Sequence, residues 1–229
     1  MSWEVEYKPR SIKDMCLPDY LYKQLERYER IGDIPNLIFY GETGLGKTTV
    51  AKLLGDTEHF EHYRINCGDV QTKTALNDAL KGTTAVSMFG NRRLVVLDEF
   101  HYINPKIQSA LNDPLEQDGN INSFIIITNE FGKISKQIKS RCFSICFDLG
   151  CVDENKKSPK YGEWLPYEYT DMTTDDWVKT LHKYGKAIAS RAGYKVTQSQ
   201  LNRATDNNDK KSDVRNFLQS LENAAKGKD

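Results

Sequence analysis

Eight consecutive residues, Gly41-Glu42-Thr43-Gly44-Leu45-Gly46-Lys47-Thr48, hold the densest chemistry in the chain. They fit the spacing G-x-x-x-x-G-K-[ST], and they lie between an apolar run, Leu37 to Tyr40, and a helix-spaced set, Val50, Leu53 and Leu54. That context suits a strand–loop–helix phosphate cradle. Glycines let the backbone turn tightly and aim N–H groups at an anion. The following helix offers its positive end to the same charge. Lys47 can reach terminal phosphates, and Thr48 can ligate Mg²⁺.

Two carboxylates, Asp98 and Glu99, follow the apolar run Leu94 to Leu97. Ligands of open α/β sheets bind at the carboxyl ends of strands. There Asp98 can hold Mg²⁺ and Glu99 can act as general base on a water. Asn129 ends a second such run, Phe124 to Thr128. It can bond a γ-phosphate or an attacking water, or it can simply close a turn. Arg141, in Ser140-Arg141-Cys142, and Arg215, in Ser212-Asp213-Val214-Arg215, have the group that stabilises charge on a transferring phosphoryl. Residue type and spacing alone favour a surface arginine at Arg141, and at Arg215 they also suit a capped helix start with an exposed arginine.

The elements that must position these groups alternate in type. Leu37 to Tyr40, His62 to Asn66, Leu94 to Leu97 and Phe124 to Thr128 read as strands, and Ser144 to Phe147 is a candidate fifth. Short unbroken β-branched runs fit strands covered on both faces, and their alternation with helical patterns predicts βαβ units. After Gly150 the expectation is helices without strands. Thr173 to Asp176 is a cap signal, Trp177, Leu181, Tyr184 and Ile188 keep helical spacing, and Gly193 is a stop. Leu201 centres a further helix, and Val214, Phe217, Leu218 and Leu221 mark the last. The expected division is an α/β nucleotide-binding domain over 1–150 and a small all-helical domain over 151–229. An insertion over about 153–172 opens the second domain. Its Trp164, Tyr167 and Tyr169 suit either partner docking or a loop packing its own aromatics.

Composition sets the limits. Among 229 residues, Lys plus Arg and Asp plus Glu both total 32, which excludes a globally basic nucleic-acid coat. No apolar run approaches the roughly 20 residues that span a bilayer, and Met1 to Arg10 has no apolar signal core, so the chain reads as cytoplasmic. Five cysteines, with no metal spacing, read as reduced thiols.

Together these residues resemble the AAA+ ATPases, and within them the clamp-loader ATPase subunits, with those of T4-like bacteriophages the nearest pattern. Glu6-Tyr7-Lys8-Pro9 is similar to the family's N-terminal Tyr-Arg-Pro box, and Ile34-Pro35-Asn36-Leu37 to its Ile-Pro-His-Leu. Gln108-Ser109-Ala110-Leu111 with Glu116, Thr128-Asn129, Ser140-Arg141-Cys142 and Asp213-Val214-Arg215 follow in the family's order. The resemblance implies a P-loop core with a five-stranded parallel sheet flanked by helices, then a helical lid. It implies ATP and Mg²⁺, with Glu4, Val5, Glu6, Tyr7 and Cys16 beside the base. Gly44, Leu45, Gly46, Lys47, Thr48 and Thr49 would hold the phosphates. It assigns Asn129 to sensing the γ-phosphate, Arg215 to reaching the nucleotide from the lid, and Arg141 to acting in trans on a neighbour's ATP. The implied partners are other subunits in a ring, a sliding clamp and primer-template DNA, in the host cytoplasm if the source is viral. Two alternatives stay open: a helicase loader or other DNA-remodelling ATPase, and a weakly hydrolysing nucleotide-binding scaffold. The chain departs from the family in lacking an evident collar domain, and in carrying Asn112-Asp113 where two arginines are usual.

Overall fold

The computed structural model describes residues 2–70, 72–84, 92–117, 122–152, 159, 164–166, 172–208 and 213–227. Its helices and strands run in the order α1 (Trp3–Glu6), α2 (Asp19–Ile31), β1 (Leu37–Tyr40), α3 (Lys47–Gly55), β2 (Phe60–Asn66), α4 (Lys73–Thr84) and β3 (Arg92–Asp98). Next come α5 (Pro105–Gln108), α6 (Asn112–Gln117), β4 (Asn122–Thr128), α7 (Lys136–Lys139), β5 (Phe143–Cys146), β6 (Gly150–Val152) and β7 (Trp164–Pro166). Three helices close the chain: α8 (Thr174–Arg191), α9 (Gln198–Asp206) and α10 (Val214–Ala225).

The chain divides into two compact units. A sheet unit comprises residues 25–42 and 47–147, and a helical unit comprises 1–24, 43–46 and 148–229. The sheet unit has five parallel strands in the order β2-β3-β4-β1-β5. Leu37 pairs with Ile125 on one side of β1 and with Phe143 on the other. Strand side chains alternate between faces. Accordingly Ile38, Val95, Leu97, Phe124 and Ile126 pack with Leu76, Leu80, Leu111, Leu115 and Ile138 from helices α4 to α7 and the turn between them. The opposite face is also dry: Leu37, Phe39, Leu94, Val96 and Ile125 are buried, and α3 lies against β2, β3 and β4. Cover on both sides explains why the strand runs are apolar without interruption. Gln108 fastens α5 to the loop before α7: its side-chain amide donates to the Lys133 carbonyl at 2.9 Å and accepts from Ser135 N–H at 2.8 Å.

The helical unit has its own core of Trp3, Cys16, Leu149, Trp177, Leu181, Ile188, Leu201, Phe217 and Leu221. Helix α8 begins with a capping box. Thr173 Oγ1 accepts from Asp176 N–H at 3.1 Å, and the Asp176 carboxylate accepts from Thr173 N–H at 3.3 Å. Two free N–H groups of the first turn are thereby satisfied. Gly193, at φ +82, ends the helix as the sequence suggests. Gly185 is required for close packing, because a Cβ there would stand 2.8 Å from side-chain atoms of both Leu221 and Phe217.

One sequence expectation is corrected. Strands do occur after Gly150: β6 and β7 form a two-stranded antiparallel ribbon pairing Gly150 with Pro166 and Val152 with Trp164. Three residues per strand are too few to show a period of two, and Pro166 disguises a strand end. Tyr167, Tyr169 and most of the 153–172 insertion lie outside the described residues, as does Ser212. Among the described residues no helix is long and apolar enough to cross a membrane.

Candidate nucleotide site

The loop Gly41–Thr48 bends as its glycines require. Gly41, Gly44 and Gly46 adopt φ of +133, +83 and +87. Side chains rarely occupy that region, so a turn of this shape selects glycine. Lys47 opens α3 and is only 5% exposed. Its ammonium donates to the carbonyls of Gly41 at 2.6 Å and Glu42 at 2.5 Å. A buried ammonium folded back into a loop of inward-turned backbone is a charge suited to an anion.

Thr48 and Asp98 meet. Thr48 Oγ1 lies 3.4 Å from Asp98 Oδ1, although fifty positions separate the two in sequence. Parallel register brings this about, because β3 carries Asp98 to the carboxyl end of the sheet, where α3 begins. A hydroxyl and a carboxylate are hard oxygen donors, the type Mg²⁺ takes, so the pair fits that ion. Asp98 is 4% exposed. Its other oxygen, Oδ2, accepts from Arg64 Nη2 at 2.7 Å. Burial of an ionised carboxylate is tolerated because it is paired in this way.

Glu99 is the single non-glycine at positive φ (55°) among the described residues. A left-handed conformation is unfavourable for glutamate, and such strain gathers at functional sites. Its N–H donates to Asp98 Oδ1 at 2.9 Å. Neighbouring Cys67 is no nucleophile: burial first, then the charges of Asp98 and Glu99, push its thiol up to about 12. Asn129 stands exposed just past β4. Arg141 is engaged on its own surface. It donates through Nε to Glu116 at 2.7 Å, again through Nη2 to the same carboxylate, and through Nη1 to the Gln137 carbonyl at 2.7 Å.

The remaining residues belong to the helical unit. Arg215 Nε pairs with Glu4 Oε1 at 2.8 Å. Val5 is 46% exposed. Tyr7 donates its hydroxyl to Glu6 at 3.1 Å. Burial among apolar side chains pushes the Cys16 thiol far above its usual range. Leu45 is buried, and a Cβ on Gly46 would come within 2.7 Å of Met15. A Cβ on Gly44 would fall on the Asp213 carboxylate, which also caps α10 by accepting Asn216 N–H at 3.1 Å. The structure thus gathers Lys47, Thr48, Asp98 and Glu99 within the sheet unit. It sets Arg141 apart with Glu116, and it joins Glu4 to Arg215 in the helical unit.

Sequence reasoning passed over Arg64 and Asn66. No signal in the sequence marks them: only the parallel pairing of β2 with β3 in the structure sets Asn66 opposite Asp98 and Arg64 opposite Val96. Asn66 Oδ1 accepts from Gly68 N–H at 3.2 Å, and its amide donates to Asp69 at 3.1 Å. Among the described residues, no group of three or more His, Cys, Asp or Glu is arranged to hold a metal.

A glycine-rich loop before a helix, with an acidic pair at the carboxyl end of β3, two strands away in an all-parallel sheet, is an arrangement that fits a nucleotide's phosphates. Residues 37–149 match the model of the ATPase family associated with various cellular activities (AAA). The replication factor C small subunit of Natronomonas pharaonis is 30% identical over 161 residues, which is 66% of this chain and 50% of that protein. The subunit of the same name from Halobacterium salinarum is 32% identical over 146 residues, covering 61% and 45%. The matched segment is similar to AAA modules and to replication factor C small subunits, and the chain spans about half the length of these curated relatives. Among solved structures, the Holliday junction branch migration motor RuvB of Thermotoga maritima superposes with TM-score 0.68 at 16% identity. The match covers 93% of this chain and 63% of that one, and the likeness is one of fold.

Proposed function

We propose that this protein binds and hydrolyses ATP with Mg²⁺ as a subunit of a clamp loader that places a sliding clamp on primer-template DNA. The observation that carries the reading is the 3.4 Å approach of Thr48 to Asp98 beside the loop that buries Lys47. Sequence kinship to replication factor C small subunits supports the clamp-loading part, and the bacteriophage pattern noted in the sequence is the finer form of the same proposal. Mg²⁺, held by Thr48 and Asp98, would neutralise phosphate charge.

The chain's own groups supply the rest. Lys47 pairs with terminal phosphate oxygens when it leaves its loop carbonyls. Glu99 orients a water and takes its proton. Asn129 bonds the γ-phosphate. Arg141 leaves Glu116 to stabilise charge on a neighbouring subunit's ATP, and Arg215 is the proposed second arginine for the nucleotide. Phosphoryl transfer depends on positioning and charge more than on covalent chemistry, which suits this set.

The test is phosphate release by the full chain with Mg²⁺ and ATP, alone and with a clamp and primer-template DNA. Stimulation by both, lost in Lys47→Ala, is the expected result. Nucleotide binding without turnover under every condition would replace the reading with that of a scaffold subunit.

A further inference from the structure

Arg64 takes no part in the chemistry proposed above, yet it makes the shortest polar contact to the most important acid. Its side chain is 56% exposed, whereas that of Asp98 is 5% exposed. One partner is therefore fixed in the sheet while the other stands at the edge of solvent, on a long side chain able to swing away. The two oxygens of Asp98 also differ. Oδ1 faces Thr48 and the Glu99 N–H, while Oδ2 receives the guanidinium. A buried carboxylate needs one counter-charge. A second cation, of charge two, brought to the same carboxylate would be repelled by the guanidinium at close range in a partly dry site.

We propose that Arg64 is the resident counter-ion of Asp98, and that a divalent metal ion held with nucleotide displaces it, so that arginine contact and metal occupancy exclude each other. The arginine acts as a positioning residue. It holds the acid oriented until the metal arrives, and it raises the metal concentration needed. This inference rests on the nucleotide reading of the same site.

The experiment is a Mg²⁺ titration of the binding of a fluorescent ATP analogue to the full chain, followed by anisotropy. In Arg64→Ala, half-saturating Mg²⁺ should fall about fivefold, the effect of removing a competing, partly exposed ion pair. Arg64→Gln, which keeps a polar side chain, should shift the same way, so the result does not depend on one variant folding well. Thermal unfolding gives a second readout: without metal Arg64→Ala should melt below wild type, and Mg²⁺ with nucleotide should raise its midpoint by more. In an Asp98→Asn background, adding Arg64→Ala should leave the Mg²⁺ requirement where it was. An unchanged or higher requirement in both single variants, or a shift that persists without Asp98, overturns the role of Arg64 while leaving the nucleotide site intact. If the wild-type chain binds the analogue under no condition, the site reading fails and this inference falls with it.

Discussion

The two units hold the charges of the candidate site in opposite ways. In the sheet unit, Lys47 and Asp98 are 5% and 4% exposed, each with partners set by backbone or by neighbouring strands. In the helical unit, Glu4 and Arg215 pair with side chains 32% and 56% exposed. A buried charge costs several kcal/mol to desolvate and persists only where its geometry is settled, whereas an exposed pair contributes about 0–1 kcal/mol and exchanges freely. The contrast assigns the fixed chemistry to the sheet unit and adjustable contacts to the helical unit. Each unit has its own apolar core, the helical one resting on Trp3, Trp177 and Phe217 and the sheet one on Phe39, Phe100, Phe124 and Phe147.

The largest expected effect is on turnover. Lys47→Ala and Asp98→Asn should each lower Mg²⁺-dependent hydrolysis by about 10³-fold, the scale of losing a preorganised charge at a transferring phosphoryl group. Circular dichroism of Lys47→Ala should remain that of wild type. A variant that instead unfolds would show that Lys47 holds the sheet unit together rather than serving its chemistry.

Next in size is the helical core. Trp177 is fully buried among Leu181, Phe217 and Leu221. Trp177→Ala should destabilise that unit by about 3–5 kcal/mol. Hydrogen exchange should show amides of α8 to α10 opening while those of β1, β3 and β4 stay protected. Equal loss of protection in both units would mean that they unfold as one.

A smaller effect is expected at Arg141. Glu116 is half exposed, so Glu116→Gln should change stability by less than about 1 kcal/mol. Its consequence should be functional: with the guanidinium less firmly held, stimulated hydrolysis in a mixed assembly should change while ATP binding by the single chain does not. An altered ATP affinity of the isolated chain would place Arg141 at its own nucleotide instead.

The parts legible in the sequence were those with a local physical signature. Val95, Val96 and Ile125 to Ile127 sit in unbroken apolar runs because both faces of the sheet are covered, and such runs can be read without a structure. Gly44 and Gly46 are legible because few other residues accept their φ, and the start of α8 because a capping box lies within four consecutive residues. Pairings across strands were not legible. Nothing near Arg64 in sequence points to Asp98, and only the register of β2 against β3 brings them together. The ribbon of β6 and β7 stayed hidden because three-residue strands hold no pattern, and Cys16 gave no sign that it lies in the core around Trp177.

The finest separation between the units is by pH. His182 is buried in the helical unit with both ring nitrogens used. Thr205 gives its one proton to the Leu201 carbonyl at 2.9 Å, so its oxygen accepts from His182 Nε2–H, also at 2.9 Å. Nδ1 then accepts from the Gln198 amide at 3.0 Å. The neutral ring is satisfied, while a second proton would face the Gln198 N–H₂. Burial, then the Lys186 charge, lowers its pKa from the usual 6.5. Between that lowered value and 6.5 the unfolded chain binds a proton that the folded chain does not, so stability must fall as pH drops through this window. Glu222 adds a second, more acidic step. Burial raises its pKa, but the bonds from Lys226 and from Trp3 N–H outweigh this and hold it below 4.5. Its contribution is present above 4.5 and is lost as pH falls below it. The midpoint for the helical unit should therefore decline in two stages on acidification, followed by Trp fluorescence and by exchange of α8 to α10. His182→Gln should flatten the upper stage and leave the lower one. A decline that begins together in both units, or one that His182→Gln leaves unchanged, would show that the charges of the helical unit are not what sets its acid response.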